Sequence, residues 1–209
     1  KKQPQLVWMT NQIRTVIMSH PDYGKRTLHI LDVGGGKGLL ANYLGQMLTD
    51  IQIHVVDIAE GATRNGAMRA KRLNVPVDFR VVDASNSLDI DADVVVALHA
   101  CGHLSDVALA HAVQRGAGFV ICPCCFRSNP HLRIPITRNV VEDWLGVPSQ
   151  DWNALKLLAE VQGDVLLQSQ AMATICAIRA NAASLKSGVH VSIKSFPIQY
   201  STRNICIVG

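Results

Sequence analysis

The chain has 209 residues, 48% of them hydrophobic and 17% charged, which is material for one domain with a substantial core and not the composition of a disordered chain. A net charge of +4 at pH 7, spread over scattered Lys and Arg, permits an anionic partner such as RNA without requiring one. No apolar stretch approaches the roughly 20 residues needed to span a bilayer, so no membrane partner is expected.

Apolar, β-branched runs alternate with helical patterns from near the start. A helix over 6–19 belongs to an N-terminal extension, residues 1–26. Strands are predicted at 27–33, 51–56, 77–82, 93–98 and 117–122, with helices at 39–48, 61–73 and 104–114 between them, the last stopped by Gly116. Strand–helix–strand units with short connections give a parallel sheet with crossover helices on both faces. Residues 123–150 then read as irregular, with Pro123, Pro130, Pro135 and Pro148, and a connection that long is usually functional. Helices follow at 151–162 and 164–186, the second capped by Asp164. The runs 189–195 and 204–208 are joined too closely for a helical crossover, so they pair antiparallel. Five parallel strands and this hairpin make a seven-stranded α/β fold, with the main domain at 27–209.

Residues 31–40 read Leu-Asp-Val-Gly-Gly-Gly-Lys-Gly-Leu-Leu. A phosphate-binding P-loop fails here, because Gly38 stands where Gly-Lys must be followed by Ser or Thr. A dinucleotide fingerprint is weakened rather than excluded: counted from Gly36, its third position holds Ala41. What remains is Asp-x-Gly-x-Gly-x-Gly, from Asp32 through Val33, Gly34, Gly36, Lys37 and Gly38. A carboxylate at the strand end would repel a pyrophosphate. It suits a phosphate-free ligand carrying an amine, such as S-adenosyl-L-methionine (SAM). Asp57, next to Ile58, lies 23 residues after Gly34, about where the ribose-binding acid of nucleoside-binding sheets falls. Asp83, next to Ala84, is placed to accept from an adenine amino group. One such Asp reads as a turn former; three at successive strand ends read as a site.

With these motifs the chain resembles the class I SAM-dependent methyltransferases over nearly its whole length. The resemblance implies a Rossmann-like sheet of order 3-2-1-4-5-7-6 with strand 7 antiparallel. It also implies SAM held at residues 32–38, with its ribose on Asp57 and its adenine on Asp83. Leu98-His99-Ala100-Cys101-Gly102 and Cys124-Cys125-Phe126 are similar to motifs of one branch. That branch includes the methyltransferase domain of glutathione-transferase-C-terminal-domain-containing proteins and relatives of a tRNA 2′-O-methyltransferase. The Asn/Asp-Pro-Pro-aromatic motif of nucleobase amino-methylases is missing, which counts against base N-methylation.

Six cysteines, at 101, 122, 124, 125, 176 and 206, do not form a secreted disulfide pattern, so an intracellular, cytoplasmic location is expected. Residue 1 is Lys, and flanking domains in a longer chain are allowed for. His99, Cys101, His103, Cys122, Cys124 and Cys125 converge at the ends of the fourth and fifth strands, and three roles stay open: methyl transfer, zinc binding or packing. His99 and Cys125 are assigned to the catalytic site, His99 as a general base, and no metal is assigned because the spacings are tighter than zinc sites usually show. His29 and His54, within strands, are read as structural. Residues 126–150 are read as a substrate loop, with Arg127, His131 and Arg133 placed to contact phosphates. The expected function is methyl transfer from SAM to an O or N atom of RNA, tRNA or rRNA, or of another macromolecule. Rival readings are a small-molecule methyltransferase, a catalytically silent binding module, and an NAD-dependent oxidoreductase.

Overall fold

The computed structural model describes residues 2–84, 88–126 and 140–209. The helices are α1 (Lys2–Ser19), α2 (Leu39–Met47), α3 (Glu60–Leu73), α4 (Leu104–Arg115), α5 (Ser149–Leu158) and α6 (Val165–Ser187). The strands are β1 (Leu28–Val33), β2 (Ile51–Asp57), β3 (Val77–Val81), β4 (Val94–Ala100), β5 (Gly118–Pro123), β6 (Ser192–Ser195) and β7 (Ile205–Val208).

The seven strands form one sheet in the order β3-β2-β1-β4-β5-β7-β6. β1 to β5 pair in parallel, and β7 runs antiparallel to both β5 and β6. This is the expected seven-stranded Rossmann-like topology. The continuous apolar run of β4 is explained by its central place: Val94, Val95, Val96 and Ala97 are all fully buried, as a strand covered on both faces must be.

Alternate residues of each strand feed two cores. Leu31 and Val33 point with Phe119 and Ile121 into one, closed by α4, α5 and α6. Leu28 and Ile30 point with Val94 and Val96 into the other, where α1 and α2 pack. α1 docks through Met9, Ile13 and Ile17, four residues apart and at most 3% exposed. That spacing puts all three on one helical stripe, and burying each contributes on the order of 2 kcal/mol. The structure thus shows this helix packed against the sheet.

The stop signals work as the sequence indicates. Asp164 accepts from the Leu167 amide at 2.9 Å, and Gly116 ends α4 in a left-handed conformation. The stretch expected to be irregular is shorter than its prolines suggested. Val140–Leu145 form a π-helical turn, and α5 starts directly after Pro148. Leu145 and Trp152 draw this segment into the core under α6, where both are buried. Among the described residues, no helix is long and apolar enough to cross a membrane.

After β3 the chain crosses over to lay β4 beside β1. Winding reverses there, so the carboxyl ends of β1 and β4 flank a crevice of the kind that holds ligands in open α/β sheets.

Candidate functional site

The glycine loop leaves β1 at this crevice. Its first amide, Gly34 N–H, donates to Val56 O on β2 at 2.8 Å. The glycines serve two ends. A Cβ on Gly38 would sit 2.4 Å from the Phe79 ring and one on Gly66 2.3 Å from it, so these two make room for Phe79. Gly36 shares the positive φ of Gly38 (55° against 61°) but differs in its surroundings: a Cβ there would meet only Asp57 Oδ2, at 3.7 Å. That leaves the backbone at Gly36 uncovered beside the end of β2.

Asp57 ends β2 and ties this loop to the next turn. Its Oδ2 accepts from Gly36 N–H at 2.9 Å and its Oδ1 from Ala59 N–H at 2.8 Å. Asp32, at the end of β1, is 1% exposed, and its Oδ2 is buried without a hydrogen-bond partner. Burial, and then the charge of Asp57, pushes its carboxyl up to about 7. A buried acceptor left bare is costly unless something comes to meet it.

Two compartments open beside these acids. The larger, about 460 Å³, is walled by Asp57, Ile58, Asp83, Ala84 and Leu104, with Cys101 also on its wall. The smaller, about 360 Å³, is walled by Asp32, Lys37, Leu98 and, from α1, Gln5 and Leu6. Gly34 and His99 line both. Val33, 1% exposed, turns its side chain into the core, so only its backbone faces the crevice end of β1.

His99 stands at a break in the sheet. The β4–β5 register shifts between Leu98 and Ala100, and His99 takes φ 64° with its side chain exposed. A non-glycine residue held there carries about 1–2 kcal/mol of strain. The bulge was not legible from the sequence, which ended the strand at 98. His29 and His54 stack on one another with ring nitrogens 3.1 Å apart and stay within the sheet. His103 is buried and lowered to about 4 by that burial, so it is neutral.

Cys101, Cys124 and Cys125 meet at the ends of β4 and β5. Cys101 Sγ lies 3.0 Å from Cys124 Sγ, and Cys124 Sγ lies 3.6 Å from Cys125 Sγ. Bonds from Cys124 and Cys125 lower Cys101 to about 6, while Cys124 is raised by sharing its proton with Cys101. Burial raises Cys125, which is exposed to solvent on one side. Arg127, His131 and Arg133 lie outside the described residues.

Sequence reasoning missed the residues that brace this end. Arg179 of α6 holds Asp106 in the first turn of α4 and also donates to Gly102 O at 3.3 Å. Glu160 accepts from Phe126 N–H at 2.7 Å and pairs with Arg203 at 2.9 Å. Only a contact map exposes such pairs, since their members are 73 and 43 residues apart.

Residues 1–128 match the family described as Methyltransferase domain. The chain belongs to that family. This methyltransferase domain is 26% identical, over its whole length, to the Glutathione S-transferase C-terminal domain-containing protein of Mus musculus, and it spans 33% of that protein. Over 60% of its length it is 29% identical to the Ubiquinone biosynthesis O-methyltransferase of Paramagnetospirillum magneticum, covering 52% of it. A SAM-dependent methyltransferase structure from Aquifex aeolicus superposes with a TM-score of 0.50, covering 95% of this chain and 87% of that one at 13% identity, a likeness of fold.

The methyltransferase domain takes SAM as its cofactor, and the residues present fit it. The orphaned Asp32 oxygen suits an ammonium, and two further carboxylates, Asp57 and Asp83, on the wall of the larger compartment suit a nucleoside without phosphates.

Proposed function

We propose that this methyltransferase domain methylates an oxygen or nitrogen atom of RNA, tRNA or rRNA, or of another macromolecule. The observation that carries the reading is that His99 and Gly34 line both compartments at once. Asp57 would hold the ribose hydroxyls, Asp83 and Ala84 the adenine edge, and Ile58 its face. Asp32 would take the amino group and Lys37 the carboxylate. When bound, SAM supplies an electrophilic methyl group on a sulfonium.

His99 is the imidazole at the junction of the compartments, and it accepts the proton of the acceptor's hydroxyl or amine. The bulge serves this by turning the side chain out of the sheet plane at the strand end. Leu104, Val82 and Leu98 exclude water around the transfer. Much of the rate then comes from holding the reacting groups in line. The positive net charge and the Arg127, His131 and Arg133 segment support an RNA acceptor.

A second reading, a small apolar hydroxyl compound, is favoured by Gln5 and Leu6, which wall the smaller compartment, and by the likeness to the ubiquinone-pathway enzyme. One experiment separates them. The protein is incubated with methyl-tritiated SAM and with RNA, protein and organic-soluble fractions of cells. Nuclease-sensitive label in RNA is the expected result. Label extracted into organic solvent would establish the second reading, and label in no fraction would contradict both.

A further inference from the structure

The six cysteines fall into two groups. Cys122, Cys176 and Cys206 are fully buried in the two cores, where a thiol packs as a small hydrophobe. Cys101, Cys124 and Cys125 instead share the carboxyl ends of β4 and β5, and each keeps solvent exposure. Their three sulfurs all lie within 4.8 Å of one another. Packing does not account for this second group, because a thiol at the surface buries little apolar area.

We propose that Cys101, Cys124 and Cys125 form a three-thiolate site for a thiophilic divalent cation, Zn²⁺ in the first place, with a fourth coordination position left for water or an incoming heteroatom. With Zn–S bonds of about 2.3 Å, tetrahedral ligands stand about 3.8 Å apart. The 3.6 Å between Cys124 and Cys125 is close to that already. The 3.0 Å between Cys101 and Cys124 must widen by less than about 1 Å. Soft sulfur donors select zinc over magnesium or calcium. Among the described residues no fourth His, Cys, Asp or Glu joins the cluster, and three protein ligands with an open position is the pattern of zinc sites that take an exogenous ligand.

The surroundings are built to hold the ligands. Gly102 N–H donates to Cys125 O at 2.8 Å, which fastens the turn carrying Cys101 to the end of β5. Glu160, itself held by Arg203, fixes the amide of Phe126 next to Cys125. Such outer bonds set the direction of ligand side chains. Cys101 also lines the larger compartment, so the ion stands in the wall of the cavity. Loading replaces the thiol protons, which pass to the buffer, and nothing is oxidised or reduced.

The test is metal analysis of the reduced protein purified without chelator, followed by cobalt substitution. About one zinc per chain is expected, with a sulfur-to-cobalt charge-transfer band when Co²⁺ replaces it. Cys101→Ser and Cys124→Ser should each lose the ion. The cobalt spectrum is read on the parent chain, so it stands even where a variant fails to fold. No bound metal and no charge-transfer band, a Cys101–Cys124 disulfide in its place, or full metal content in both folded variants would overturn the proposal.

Discussion

The guanidinium of Arg179 grips the carboxylate of Asp106 with two parallel bonds of 2.7 Å, and the two residues are 2% and 5% exposed. Arg179 also lies over the Trp152 ring, 5.3 Å from its centroid. This pair joins α6 to the first turn of α4, two residues beyond Leu104, whose side chain fills the space a Cβ on Gly34 would need. Breaking a buried pair from one side leaves a bare charge, so Arg179→Met should cost about 3–5 kcal/mol. Arg179→Met with Asp106→Leu should recover much of that. Urea unfolding of the three proteins checks it, and a double variant no better than the single one would contradict the role.

Asp32 gives a pH dependence with a definite sign. Its carboxyl is pushed up to about 7 in the folded protein, by burial and then by Asp57. A carboxyl raised above its unfolded value costs stability as it ionises, so the ligand-free protein loses stability as pH climbs from about 4 towards 7, after which the loss levels off. An ammonium beside Asp32 reverses the preference. Binding S-adenosylhomocysteine (SAH) below pH 7 should therefore release a proton, and affinity should climb by at most about tenfold per pH unit up to that point. Calorimetry in buffers of different ionisation enthalpy measures this. Asp32→Asn should abolish both the proton release and the pH slope.

The glycines can be told apart by substitution. Gly38→Ala drives a methyl into the Phe79 ring and should lower stability, with partial rescue by Phe79→Leu. Gly36→Ala meets no such clash; it should lose about 1–2 kcal/mol of stability to its positive φ and most of its SAH affinity. Thermal melts with and without SAH separate the two effects.

His99 is testable through its backbone. Asn tolerates a positive φ, so His99→Asn should keep the bulge and the SAH affinity. Without the imidazole, label transfer should fall by roughly 10²–10⁴-fold. Unchanged transfer would assign the imidazole no part in proton removal.

Much of this was legible beforehand, for physical reasons. The seven strands follow from alternating periods, short connections and a final hairpin, while their order was implied by the family resemblance, and the acids were found because Asp32, Asp57 and Asp83 fall at or just past the ends of three strands. What escaped was non-local. The bulge at His99 arises from a register shift against β5, and α5 begins early because Trp152 is buried under α6. The thiol cluster depends on two strand tips lying side by side. Its three sulfurs were named from the sequence, but their mutual distances come only from the fold.

The central claim is that the crevice between β1 and β4 holds SAM by its carboxylates. Calorimetric titration of SAH into the parent protein and into Asp57→Ala tests it most directly. Saturable binding at about one equivalent, weakened at least tenfold by the substitution, is the predicted result. No heat with the parent protein, or equal affinity in both, would contradict the account.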